Sequence, residues 1–129
     1  MNTPANLRYA KTDEWVKVDG NIATVGISDY AQDQLSDIVF IEFNREIDDV
    51  ITKGDALATI ESVKAAADVN APVSGKVLEV NEGLSDIPET LNDDPYEKAW
   101  LYKIEMSKPD EVNELMDAAA YDQYCEGRH

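Results

Sequence analysis

From residue 14 to residue 106 the chain is a succession of short apolar segments, several of them alternating, separated by turn-forming residues. After a short apolar entry at Leu7-Arg8-Tyr9, Trp15-Val16-Lys17-Val18 and Ile22-Ala23-Thr24-Val25-Gly26-Ile27 flank Asp19-Gly20-Asn21. That pattern predicts a β-hairpin with a glycine-containing turn. Ser28 or Asp29 can cap a helix of about two turns through Leu35, Asp29 and Gln32 standing at capping-box spacing. Ile38-Val39-Phe40-Ile41-Glu42-Phe43 reads as a strongly apolar strand and 44–50 as a polar connector. Residues 56–60 and 65–69 are each compact enough for a half-buried strand, and Pro72 and Gly75 mark the next bend. Two more strands are expected at 77–80 and 100–106, separated by an acidic stretch, 84–98. Pro88 and Pro95 predict that this stretch has no regular structure. Beyond Ser107, Pro109 sits in a first helical turn, and Val112, Leu115, Met116 and Ala119 fall at i, i+3, i+4, i+7. The spacing predicts one helix that packs this face on the sheets, with Tyr121 and Tyr124 continuing the contact after a break. Short strands bounded by turns and joined by one small helix predict two packed antiparallel sheets, with Trp15, Ile27, Phe40, Ile60, Val77 and Trp100 in the core.

The two central strands meet at Glu61-Ser62-Val63-Lys64-Ala65. Lys64 is the only basic residue between Lys53 and Lys76, and its neighbours are small. The expected arrangement is a hairpin tip presenting a solitary amine to solvent. An ordinary surface lysine would look the same at this level; its isolation within a repeated strand–tip–strand plan sets it apart.

Composition narrows the choices. A chain of 129 residues with 43% hydrophobic content is expected to form one domain over 1–129, with its lysine hairpin at about 54–81 and a helical segment at about 108–126. No apolar run approaches the ~20 residues of a membrane span, and the N-terminal stretch has neither the basic flank nor the apolar centre of a signal peptide. One cysteine, Cys125, rules out an intrachain disulfide and suits a reducing cytoplasm. The net charge of −16, from 27 acidic and 11 basic side chains, argues against nucleic acid as a partner. It favours partners with basic rims, approached under electrostatic steering. The only histidine, His129, and nearby Cys125 lie on an expected mobile tail, and no catalytic constellation emerges. A carrier reading asks less of the sequence than an enzyme reading.

The residues around Lys64 carry a resemblance. Gly54, Glu61-Ser62-Val63-Lys64-Ala65, Asp68 and Ala71-Pro72-Val73-Ser74-Gly75 resemble the lipoyl-lysine segment of the glycine cleavage system H protein family. In the same order follow matches at Glu14-Trp15, Thr24-Val25-Gly26-Ile27, Ala31-Gln32, Asp37-Ile38-Val39-Phe40, Asn92-Asp93-Asp94-Pro95-Tyr96 and Asp117-Ala118-Ala119-Ala120-Tyr121. The resemblance implies a mainly β flattened barrel-sandwich hybrid of two antiparallel sheets, like lipoyl and biotinyl domains, with a short helix near 29–35 and C-terminal helical additions. It implies lipoate in amide linkage to Lys64, with Glu61, Ser62, Val63 and Ala65 recognised by lipoate-attaching enzymes. It also implies a monomeric carrier taking the aminomethyl group of glycine from glycine decarboxylase (P protein) to aminomethyltransferase (T protein). Dihydrolipoamide dehydrogenase (L protein) would then reoxidise the arm. Glu14 and Asp68 are the expected docking carboxylates for the cationic, aminomethylated arm.

A biotinyl carrier is the nearest alternative, but biotin carriers place methionine on both sides of the lysine, where this chain has Val63 and Ala65. A second alternative is a divergent relative acting mainly as a lipoyl donor to other carriers. It draws on departures from the family pattern: Asp13 and Tyr30 where histidine is common, Ser36 where glycine is usual, Phe43-Asn44 for Leu-Pro, and Ala99 for glycine.

Overall fold

The structure, a computed structural model, describes residues 2–128; His129 lies outside the described residues. Among the described residues nine strands form two antiparallel sheets, neither of which closes into a barrel. The strands are β1 (Arg8–Tyr9), β2 (Glu14–Asp19), β3 (Ile22–Ile27), β4 (Ile38–Phe43), β5 (Val50–Ile51), β6 (Ala56–Ser62), β7 (Ala66–Asn70), β8 (Gly75–Val80) and β9 (Tyr102–Met106). The larger sheet has the order β1-β2-β3-β9-β8-β5 and the smaller β4-β6-β7.

The β2–β3 hairpin forms in the register the alternation predicts, with Val16 opposite Val25 and Val18 opposite Ala23. Helix α1 (Asp29–Leu35) starts at Ser28, whose Oγ accepts from the Ala31 N–H at 3.1 Å. Gln32 donates to the Asp29 carboxylate rather than to the backbone. Trp15, Ile27, Ile60 and Val77 are buried as expected. Trp15 lies against Gly26, where an added Cβ would come within 2.7 Å of the indole, and donates from Nε1 to the Pro95 carbonyl at 2.9 Å.

Six expectations are corrected. Phe40 is 47% exposed, not core, because a bulge between Ile38 and Phe40 breaks the inward–outward alternation of β4. Trp100 is half-buried and precedes β9, with the Lys103 ammonium over its ring. The 44–50 connector ends in a short strand, since Val50–Ile51 pairs with β8. The 84–98 region is not structureless: a 3-10 helix spans Glu82–Asp86, and α2 spans Thr90–Asp93 between the two prolines. The apolar stripe beyond Ser107 does not lie on one helix. A 3-10 helix covers Pro109–Glu114, Leu115 is extended, and Met116 exchanges both backbone hydrogen bonds with Tyr9. Asp117 then caps a new helix, α3 (Ala118–Glu126), accepting from the Ala120 N–H. The i, i+3, i+4 spacing was therefore met by residues on three different backbone conformations. In α3, Tyr121 stacks on Tyr9 at 4.7 Å and Cys125 is buried, so this segment is packed against β1 and is no loose tail. Burial pushes the Cys125 thiol up, away from reactivity.

At the start of β8, a Cβ on Gly75 would stand 2.0 Å from the Glu105 carbonyl oxygen on the neighbouring strand. Gly75→Ala must push β8 and β9 apart, so we expect a loss of about 1–3 kcal/mol or somewhat more in urea unfolding. An unchanged midpoint would show that the sheet absorbs the methyl.

Candidate functional site

Lys64 stands at the apex of the β6–β7 hairpin. A hydrogen bond from the Ser62 N–H to the Ala65 carbonyl at 2.8 Å closes a turn with Val63 and Lys64 at its centre. Neither central residue has a positive φ, although two-residue hairpin turns favour that conformation. The Ser62 side chain compensates by accepting from the Lys64 and Ala65 N–H groups at 3.3 and 3.1 Å. The Val63 N–H donates to the Asp37 carbonyl at 3.1 Å, fastening the tip to the connector before β4. Glu61, Val63, Lys64 and Ala65 are exposed, and Ser62 is half-buried in its bracing role. Among the described residues no carboxylate lies within ion-pair distance of the Lys64 ammonium.

Beside the hairpin, β7, β2 and α1 enclose a cleft of about 260 Å³ with apolar walls from Ile27, Leu35, Ile60 and Val69. Glu14 lines it and is only 1% exposed. Its carboxyl accepts from the Thr12 hydroxyl and, at 3.1 Å, from the Asn70 N–H. Burial pushes its pKa up to about 7 against the lowering effect of those hydrogen bonds. Asp68 reaches the same cleft from β7 but is exposed. It stands opposite Thr59, on the face away from Ile60 and Ala67, and its Oδ1 accepts from Thr59 Oγ1 at 3.3 Å. The two expected carboxylates thus border one cleft in different settings, one buried and one facing solvent.

A group not foreseen from the sequence forms another wall. Arg128 makes a bidentate pair with Asp13, at 2.6 and 3.0 Å, and its guanidinium lies over Tyr30 (4.5 Å) and Tyr124 (4.9 Å). Tyr121 donates to the same Asp13 carboxylate at 2.8 Å. Asp13 and Tyr30, two departures from the family pattern, are therefore served by one arginine 98 or more residues away in sequence. Only the departures themselves signalled it. A larger hollow of about 510 Å³ lies between α1 and α3, with Asp29, Asp33, Asp122 and Glu126 in its lining and no residue of the hairpin tip. Among the described residues no cluster of His, Cys, Asp and Glu could hold a metal, and no helix is long and apolar enough to cross a membrane.

Comparison with known proteins places the whole chain in one family. A family model described as glycine cleavage H-protein matches residues 7–128. The glycine cleavage system H protein of Staphylococcus saprophyticus is 52% identical over 123 residues, covering 95% of this chain and 97% of that protein. The H protein of Staphylococcus haemolyticus is 51% identical over 126 residues, covering 98% and 97%. A crystal structure of a glycine cleavage system H protein from Mycobacterium marinum superposes with a TM-score of 0.84 at 32% identity, covering 93% of this chain and 96% of that one. This chain therefore belongs to the glycine cleavage H-protein family, a carrier of the glycine cleavage system rather than an enzyme.

Proposed function

We propose that Lys64 bears lipoate in amide linkage, and that the chain carries the aminomethyl group of glycine from glycine decarboxylase (P protein) to aminomethyltransferase (T protein). Dihydrolipoamide dehydrogenase (L protein) would restore the carrier. The observation that carries this reading is a braced hairpin apex presenting an unpaired amine beside a cleft that holds a buried carboxylate. The residues suit the group: nothing bulky flanks the amine, and the apolar cleft walls can receive the hydrocarbon of an acyl arm. When bound, the lipoyl disulfide supplies a redox-active acceptor for the transferred unit.

The protein's own part is presentation, protection and release. Glu61, Ser62, Val63 and Ala65 hold the amine out for lipoate-attaching enzymes. Asp68 lies four residue steps beyond Lys64, about 13 Å at strand rise, close to the ~14 Å reach of a lipoyl-lysine arm. An arm folded back along β7 would bring its end to the level of Asp68 and the cleft. There Glu14, ionised by the arriving cation, and Asp68 at the mouth would hold the cargo while the apolar walls exclude water. The protein works as one domain and a monomer, in the cytoplasm of a bacterium.

The test adds a P protein, glycine and labelled bicarbonate. The lipoylated protein should support carbon exchange, and the unmodified protein should not exceed the rate without carrier. Equal rates from both forms would overturn the proposal. Failure of both with several P proteins would shift the reading to a lipoyl donor for other carriers.

A further inference from the structure

Among the described residues, the outer face of the three-stranded sheet leaves several apolar side chains in solvent. Phe40 and Val39 on β4 are 47% and 54% exposed, and Val63 at the hairpin tip is 68% exposed. Consecutive strand residues ordinarily point to opposite faces. The bulge at Val39 defeats that rule and leaves both side chains in water. Phe40 lies opposite Glu61, three residues from Lys64, and the Val63–Asp37 hydrogen bond ties the tip to the start of the strand that carries the patch. Exposed carboxylates surround it: Glu61 beside Phe40, Glu42 one row on, and Asp68 across Thr59.

We infer that this face, with Phe40 at its centre, is where the enzyme that acylates Lys64 docks, through an apolar pocket with a basic rim. The inference rests on the reading that Lys64 is lipoylated. In that reaction the amine nitrogen attacks the carbonyl of an activated lipoyl adenylate. The C–N bond forms, the C–O bond to AMP breaks, and the amine gives up a proton. Reach selects this enzyme over the others. The amine stands only about 6 Å from the Lys64 Cα, so an acylating enzyme must press on the surface at the root of the side chain. Enzymes acting on the far end of a loaded arm meet no such demand. Charge supports the same partner chemistry: a protein of net charge −16 with carboxylates ringing the patch favours a basic surface.

The experiment measures lipoylation kinetics with a lipoate ligase, ATP and lipoate on the full chain. Val39→Thr/Phe40→Thr keeps strand-forming residues and should lower kcat/KM at least tenfold, mainly through KM, with the unfolding midpoint nearly unchanged. Val50→Thr, 78% exposed but on β5, is the control and should label as wild type. Glu42→Gln leaves the apolar patch intact and should slow labelling severalfold at low salt but not at high salt. Once driven to full lipoylation by prolonged incubation, the double variant should support glycine–bicarbonate exchange at the wild-type rate. Unchanged labelling kinetics in the double variant would overturn the inference, and so would a loss of exchange equal to the loss of labelling. Lys64→Arg is run alongside: if it labels, lipoylation at Lys64 fails instead, and the two failures remain distinct.

Discussion

Lys64→Arg is expected to gain no mass when incubated with a lipoate ligase, ATP and lipoate, while the wild-type protein gains one lipoyl increment. Arginine keeps the length and charge of the side chain, but its guanidinium stays protonated and delocalised at any workable pH and does not become a nucleophile. The side chain is exposed and makes no ion pair among the described residues, so stability should change by less than about 0.5 kcal/mol. Glycine–bicarbonate exchange should fall to the level seen without carrier. The loss is complete because the turn offers one amine; no neighbouring lysine stands between Lys53 and Lys76 to take its place. A variant that still gained the increment would remove Lys64 from the function.

Glu14→Gln should alter both stability and cargo retention, in opposite directions. Folding raises the Glu14 pKa from 4.5 to about 7, because burial disfavours the charged form. The folded state therefore binds the proton more tightly than the unfolded chain. This stabilising contribution is fully present below about pH 4.5 and is lost as pH rises through about 7. Above that, the buried carboxylate costs on the order of 3 kcal/mol. Glutamine cannot ionise, so the variant should match wild type within about 1 kcal/mol in urea unfolding at pH 5. At pH 8 it should be more stable by roughly 2–3 kcal/mol. Parallel pH profiles would mean that Glu14 keeps an ordinary pKa. In the loaded protein the cation restores the ionised form, and a charge-assisted hydrogen bond is worth roughly 1.5–3 kcal/mol. Glu14→Gln should thus release the aminomethyl cargo about tenfold faster or somewhat more. Asp68→Asn should do less, since its carboxylate is exposed and engaged with Thr59. The native residue at position 14 gives up stability at neutral pH in exchange for a charge it can offer to a cation.

Local chemistry was the legible part of this chain. The alternation of β2 and β3, the Ser28 cap and the small residues around Lys64 each act over a few residues, and the folded protein keeps them. What escaped depends on distant partners. Phe40 has the composition of a core residue, and only the ladder with β6 reveals the bulge that turns it out. Met116 belongs to a helical stripe by spacing, yet its backbone is taken by Tyr9, more than a hundred residues earlier. Cys125 looked like part of a tail until Tyr9 and Trp15 supplied the aromatic cluster that buries it. In the candidate site, Glu14 and Asp68 were found through resemblance, but their unequal burial and their partners, Asn70 and Thr12 for one and Thr59 for the other, appear only in the folded chain. Ser36 was noticed where glycine is usual, and the reason is visible in its φ of +65°, a conformation in which a side chain is strained.

Strand β9 enters between β3 and β8, so the six-stranded sheet cannot be joined until residues 102–106 have been synthesised. The lysine-bearing sheet has no such dependence: β4, β6 and β7 all lie within residues 38–70 and pair with near neighbours. Contacts that are close in sequence lose less chain entropy on closure and form faster. A nascent chain would therefore possess its lysine hairpin before the larger sheet that covers the hairpin's inner face. At ribosomal rates of about 5–20 residues per second, the interval between β7 and β9 lasts roughly 2–7 s. During those seconds Ile60 and Val69 have no opposing layer, and the emerging polypeptide is at its most vulnerable to chaperones, proteases and self-association.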